Sequence, residues 1–147
     1  MSLNDPHSKM SKSAKSAKSY ISMLDDPSTI QKKIRSAVTD SGQGINYDID
    51  KRPAIANLLT IFSAFSGRSI DELVEKYRDA GNAEFKDDLA DAIIAVLEPL
   101  QKRYHELLDS DELDDYLDQG AEKARRTADK TLNKMKNAVG LGRKKRK

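Results

Sequence analysis

The sequence contains no cysteine. Disulfides, thiolate-bound metals and a cysteine nucleophile are therefore excluded, and a reducing, cytoplasmic setting fits. Tryptophan is absent, and with three phenylalanines and five tyrosines the aromatic share is only 5%. No apolar run approaches the ~18 residues of a membrane span. The opening string Met1-Ser2-Leu3-Asn4-Asp5-Pro6 lacks the hydrophobic centre of a secretory signal. There is no alternating strand pattern of useful length and no internal repeat.

What is present is charge. Charged residues make up 34% of the 147 positions, above the roughly 25% usual for globular chains. That excess suits helices with wet, salt-bridged outer faces better than a β-sandwich. The net charge of +2 hides an uneven distribution. Residues 123–147 are strongly basic with one acid, Asp129, whereas acids dominate residues 84–118. A local basic stretch matters more to a polyanion than the average over the chain.

Five helices are expected. Asp26-Pro27 is a start signal, Asp as N-cap and Pro at the first helical position. Ile30, Ile34, Ala37 and Val38 follow at helical spacing, with a stop near residues 39–42. Pro53 opens a second helix, apolar around much of its circumference (Ile55, Leu58, Leu59, Phe62, Phe65) and so expected at the centre. Ser66-Gly67 ends it. Ser69 with Glu72 forms a capping box for a third, carrying Ile70, Leu73, Val74 and Tyr77 up to Gly81. The fourth covers about 83–108, with Phe85, Leu89, Ile93, Val96, Leu97, Leu100 and Tyr104 on one face and a bend at Pro99. The fifth covers about 111–139. Its stripe of Leu113, Leu117, Ala121, Ala124, Ala128, Leu132, Met135 and Val139 is rich in small residues and favours close packing on another helix. The fold class is all-α.

Residues 1–24 are rich in Ser and Lys and read as a mobile loop running into a short ordered segment at Tyr20-Ile21-Ser22-Met23-Leu24. Within them Lys9-Met10-Ser11-Lys12-Ser13 sets two ammonium groups three residues apart among hydroxyls. Lysines are compact, mobile point charges suited to polyphosphate, and Ser11, Ser13 and backbone N–H groups add neutral donors. Composition alone would make this a solvated loop. The string itself resembles the second signature of class I aminoacyl-tRNA synthetases. Its surroundings are similar to the tryptophan–tRNA ligases in particular. These include the opening Met1-Ser2-Leu3-Asn4-Asp5-Pro6, then Leu24-Asp25-Asp26-Pro27 with Lys32-Lys33-Ile34, and Ala37-Val38-Thr39-Asp40-Ser41. Asn57-Leu58-Leu59-Thr60-Ile61, Gly67-Arg68-Ser69-Ile70 and Phe85-Lys86-Asp87-Asp88-Leu89-Ala90 continue the likeness, which runs to about Leu141.

The resemblance implies the C-terminal part of a bacterial-type tryptophan–tRNA ligase. Residues 1–25 would be the phosphate loop and a junction, 26–139 a helical anticodon-binding domain, and 140–147 a basic tail. Lys9, Met10, Ser11, Lys12 and Ser13 would bind ATP, with its Mg2+ counter-ion, and Lys12 and Lys9 would act in catalysis. Tryptophan and tRNA(Trp) would be the other partners, and the complete enzyme a homodimer, this segment alone a monomer. An α/β nucleotide-binding domain bordering the loop is also implied. The 147 residues hold no His-x-Gly-His string and no Gly-rich strand-to-helix turn, so the isolated chain is expected to be inactive. A stand-alone helical RNA-binding or regulatory module is the alternative. A basic nucleic-acid-compacting protein is a third reading, opposed by the acidic stretch.

Other candidates carry less. Lys123, Arg126 and Lys130 on the fifth helix, and Arg143, Lys144 and Lys145 in the tail, could meet tRNA phosphates; an ordinary wet face explains them equally well. The acids between 109 and 118 fail calcium-loop spacing and suit a helix N-terminus. No resident metal is expected. His105 lacks the partners of a metal or nucleophile site; His7, next to the phosphate loop, could touch ATP or tRNA, though flexible loops tolerate many polar residues. Tyr20 and Tyr47 could stack on bases, though packing is the commoner use of tyrosine.

Overall fold

The computed structural model describes residues 1–141 except Ser41 and Gln43. Among them helices account for all the regular structure, in the order α1 Pro27–Ser36, α2 Pro53–Ser66, α3 Ile70–Tyr77, α4 Asn82–Leu108 and α5 Glu112–Ala138, after a short 3-10 turn at Ala17–Ser19.

Local chemistry sets most of the boundaries. The Asp26 carboxylate accepts from Thr29 N at 3.0 Å, and Pro27 occupies the first helical position, where no N–H is needed. Hydrogen bonds from Thr29 and Ser28 hold the Asp26 carboxyl well below the usual carboxylate range. In α3 the capping box closes both ways: Glu72 N donates to Ser69 Oγ at 3.3 Å and Ser69 N to Glu72 Oε2 at 2.8 Å. Gly67 ends α2 at φ 70°, a left-handed geometry that glycine adopts without a Cβ penalty. Two stops come earlier than expected. α1 ends at Ser36 because the chain turns out at Ala37, and Val38 N donates to Leu3 O at 2.8 Å instead of continuing the ladder. α3 ends at Tyr77, ahead of Gly81. Pro99 lies inside α4 without ending it.

The chain divides into two compact units, Met1–Lys102 and Arg103–Lys147, within the span 26–139 expected as one domain. In the first unit α2 is the central helix, burying Ala54, Ile55, Ala56, Leu58, Leu59 and Phe62. Around it pack Ile30 and Ile34 of α1, Leu73 and Tyr77 of α3, and Phe85, Leu89, Ile93 and Leu97 of α4. Phe62, Tyr77 and Phe85 form an aromatic triangle with centroids 5.3–5.8 Å apart, a spacing at which edge-to-face attraction adds to area burial. Val96, Leu100 and Tyr104, expected on the buried face of α4, are exposed.

Leu3, in the segment expected to be mobile, is 2% exposed and belongs to the same core as the helices. Residues 1–25 are therefore not a loop set apart from a helical domain.

The second unit holds the last residues of α4 and all of α5. Arg103 reaches both oxygens of Glu112, at 2.7 and 3.0 Å. No residue of α5 is buried. The expected packing of its small-residue stripe is not seen: Leu117, Leu132 and Met135 are all exposed.

Two connections in the first unit rest on polar side chains. The Arg52 guanidinium bonds Asp40 Oδ1 (2.6 Å), Gly44 O (2.9 Å) and Asn46 Oδ1 (2.8 Å), tying those three residues to the start of α2. The hydrogen bond from Arg52 holds the Asp40 carboxyl below its ordinary value, while burial opposes it. Lys86 is buried, and its ammonium donates to Ala37 O at 2.7 Å and Arg35 O at 3.1 Å, closing the C-terminal end of α1. That end carries the negative pole of the helix and unpaired carbonyls, so a cation fits there. Burial pushes the Lys86 pKa down.

Candidate functional site: a phosphate loop closed at its neck

The Lys9–Ser13 string lies in a loop of residues 4–18 whose two ends meet. Leu3 N donates to Ser19 O at 2.9 Å, and Ser2 N to Ser8 O at 2.8 Å. Leu3 and Ser19 are both buried, so the neck is fixed in the first unit while the loop stands outside it.

Within the loop, short-range bonds shape the backbone. Asp5 accepts from His7 N at 3.0 Å and from the Ser8 hydroxyl, bonds that hold its carboxyl below the ordinary range, Ser8 contributing most. Ala14 N donates to Ser11 O at 3.1 Å, and the Ser11 and Ser13 hydroxyls lie 2.9 Å apart. These are the local Ser and Asp turns that such residues form in place of helix. Met10 alone of the signature points inward, partly buried against the core. Lys9, Ser11, Lys12 and Ser13 are exposed. Among the described residues no carboxylate forms an ion pair with Lys9 or Lys12. The structure thus brings the five signature residues together as one anchored residue and four outward-facing donors. Its two ammonium groups can neutralise an anion without first breaking an ion pair of their own.

Several supporting residues escaped the motif reading. Lys33 is buried, 2.6 Å from Asp25 Oδ2 and 5.0 Å above the Tyr20 ring. Gln101 donates to Met23 O (2.8 Å) and Asp25 O (2.9 Å), and Asn57 to Met1 O and Ser2 O, each at 3.2 Å. A signal for Lys33 existed: it falls on the α1 face of Ile30, Ile34 and Ala37, where a lysine is out of place unless it has a partner. Asn57 and Gln101 gave none.

The other candidates are dispersed. Tyr20 is partly buried beneath Lys33, which occupies one side of its ring, while Tyr47 and His7 are exposed. Tyr47 and His7 line a shallow recess with Met1, Pro6, Ile49 and Asn57. His105 is exposed beside Tyr104. Lys123, Arg126 and Lys130 share one exposed side of α5 with Asp118 and Glu122, and Arg126 bonds Glu122 at 3.1 Å. Arg143, Lys144 and Lys145 lie outside the described residues. Among the described residues no three His, Asp or Glu side chains converge as a metal site would require, and no helix is long and apolar enough to cross a membrane.

Comparison with known proteins gives the loop its family. A tryptophan–tRNA ligase of Enterococcus faecalis is 58% identical over 147 residues, 100% of this chain and 44% of that protein. The tryptophan–tRNA ligase of Bacillus subtilis is 53% identical over 146 residues, 99% of this chain and 44% of that protein. The crystal structure of tryptophanyl-tRNA synthetase from Mycoplasma pneumoniae is similar at a TM-score of 0.74 and 30% identity, covering 97% of this chain and 45% of that one. The chain thus spans 44% of the length of these curated relatives.

These matches correct one expectation. The family of class I tRNA synthetases (W and Y) matches residues 1–98, a range that takes in the phosphate loop and most of the helical core together. The reading of residues 26–139 as a separate anticodon-binding domain does not stand. The comparisons support the ligase family, not the narrower assignment to its C-terminal part. The physical reason is the one the core shows: Leu3 at the neck and the helices α1 to α4 bury one another. With its signature loop exposed on an anchored neck, and with residues 1–98 matched, the chain belongs to the class I tRNA synthetases (W and Y).

Proposed function

We propose that this chain takes part in the ATP-dependent charging of tRNA(Trp) with tryptophan, and that its loop supplies the cationic clamp on the ATP phosphates. The observation that carries the reading is the pairing of an exposed, unpaired Lys9 and Lys12 with a neck held in the core. In the activation step the tryptophan carboxylate attacks the α-phosphorus of ATP and pyrophosphate departs. Negative charge grows on the departing oxygens. Lys12, with Lys9 beside it, neutralises that charge, and Ser11, Ser13 and loop N–H groups add hydrogen bonds. This is electrostatic stabilisation of the transition state and not covalent catalysis. Mg2+ accompanies the nucleotide as its counter-ion, and the lysines share its task of screening the phosphates.

Lys123, Arg126 and Lys130 are proposed as tRNA phosphate contacts. They lie on one exposed side of α5, and backbone contacts of that kind position an RNA without reading its sequence. A purely RNA-binding module has no use for the phosphate signature, and no comparison favours it.

The test is Lys12→Ala in a complete ligase carrying this segment. Interactions made more strongly in the transition state than in the ground state change rate and not affinity. Adenylate formation should slow roughly 100-fold or more, about 3 kcal/mol, with tryptophan affinity unchanged. Lys12→Arg should rescue only partly, because a planar fork replaces a compact charge. Lys15 and Lys18 lie outside the signature, and their alanine variants should do much less. Equal slowing by Lys12→Ala, Lys15→Ala and Lys18→Ala would reduce the loop to diffuse positive charge and sink the proposal.

A further inference from the structure

We infer that the helical unit grips the phosphate loop by both stems, Asn57 of α2 at the entry and Lys33 of α1 at the exit, and that these two are positioning residues for Lys9 and Lys12. The inference rests on the reading of the loop as an ATP-phosphate clamp.

The loop cannot aim itself. Its internal bonds join near neighbours, and of residues 9–13 only Met10 packs against the core. A flexible segment of this length ranges widely unless its ends are fixed, and a lysine adds further rotamer freedom. The direction in which Lys9 and Lys12 point is therefore set where the chain enters and leaves.

At the entry, Asn57 Nδ2 donates to the carbonyls of Met1 and Ser2, both at 3.2 Å. At the exit, Lys33 Nζ donates to Asp25 Oδ2 at 2.6 Å and lies 5.0 Å above the centre of the Tyr20 ring. Asp25 in turn accepts from Ser22 N at 2.8 Å, closing the turn of residues 22–25. Gln101 of α4 pins the outside of that turn through Met23 O and Asp25 O. The side-chain polar contacts of Asn57 and Lys33 go to residues that flank the loop and none to another helix. Burying an ammonium is costly unless it is paired, so the 8% exposure of Lys33 is tolerable only while Asp25 and Tyr20 stay where they are. The same pairing fixes the exit stem.

The two gripping helices share one core through Ile30, Ile34, Ile55 and Leu59. The entry and exit stems therefore hold a constant separation, joined at the neck by Leu3 N to Ser19 O. Loss of either grip lets the loop swing as a body while the core stays packed.

The experiment is a double-mutant cycle in the complete ligase. Lys33→Met and Asn57→Ala are each made with Lys12 present and in the Lys12→Ala background, and single-turnover adenylate formation is measured with tryptophan binding. With Lys12 present, each variant should slow adenylate formation about tenfold or more, since displacement of a reacting group by about 1 Å costs on that order or beyond. Tryptophan affinity should hold. In the Lys12→Ala background the further loss should be clearly smaller, the remainder being the part that acts through Lys9, because effects transmitted through one residue are not additive. Lys33→Arg, which keeps the pair with Asp25, should regain most of the rate. Equal losses in both backgrounds, or parallel losses in tryptophan affinity, would make the two residues general stabilisers and overturn the inference. If Lys33→Met does not fold, Asn57→Ala decides by the same cycle. Should Lys12→Ala itself leave the rate untouched, the phosphate-clamp reading falls and this inference with it. Slowing by Lys12→Ala but not by Lys33→Met or Asn57→Ala removes the inference alone.

Discussion

Lys86→Met is the sharpest test of how the tertiary structure holds α1, the helix that carries Lys33. The substitution keeps the length of the side chain and removes its donor. Two carbonyls lose a partner, Ala37 O at 2.7 Å in a buried position and Arg35 O at 3.1 Å at a half-buried one. An orphaned buried acceptor costs about 1–3 kcal/mol. Water can reach the Arg35 carbonyl, so most of the loss sits at Ala37. Methionine in turn relieves the burial of an ammonium, which offsets part of it. The net expectation is a loss of about 2 kcal/mol at neutral pH. With an m-value of about 2 kcal/mol/M in urea, the unfolding midpoint should fall by about 1 M with the slope unchanged.

The pH dependence gives a second, independent sign. Burial lowers the Lys86 pKa below its ordinary value of 10.5. Between the folded value and 10.5 the unfolded chain binds a proton that the folded chain does not, so folding gains as pH rises through that window. Lys86→Met has no such term, and the gap between the two proteins should therefore widen toward pH 10. The assay is urea unfolding followed by circular dichroism at pH 7 and pH 10. A variant more stable than the parent at pH 7 would mean that ammonium burial outweighs the two caps. A gap that narrows with pH would refute the argument from burial.

Two further outcomes are expected. Gly44 and Gly67 both have positive φ, but a Cβ on Gly44 would lie 2.2 Å from the Arg78 carbonyl oxygen, whereas one on Gly67 meets nothing within 4 Å. Gly67→Ala should cost only the left-handed conformation, roughly 1 kcal/mol; Gly44→Ala adds a backbone clash and should cost about 3 kcal/mol, and equal urea midpoints would contradict this. Replacing Lys123, Arg126 and Lys130 by Gln should reduce the slope of log affinity for tRNA(Trp) against log salt by about 2, since each phosphate contact contributes roughly 0.7–0.9 and Arg126 is partly satisfied by Glu122. An unchanged slope would remove α5 from the tRNA interface.

The sequence by itself determined the helical elements and the residue types of the loop. Asp26-Pro27, Pro53, Ser69 with Glu72, and Gly67 act on backbone groups one to four residues away, so the helix starts and the end of α2 are written locally. The loop signature is local too, being two lysines among hydroxyls within five positions. Only the tertiary structure decided where α1 stops, because Val38 N is taken by Leu3 across the chain. It also decided that Leu3 is core and not part of a mobile loop, and that the stripe of α5 is exposed. Period 3.6 shows which residues share a face but not whether anything covers that face. Lys86 shows the boundary between the two. It shares a side of α4 with Ala90, Ile93 and Leu97, a spacing present in the sequence that the expected stripe left out. Its partners are the carbonyls of Arg35 and Ala37, far away along the chain, and only folding could bring them to it. The grips on the loop are of the same kind. Asn57, Lys33 and Gln101 bond backbone and carboxylate groups that local pattern does not connect to them.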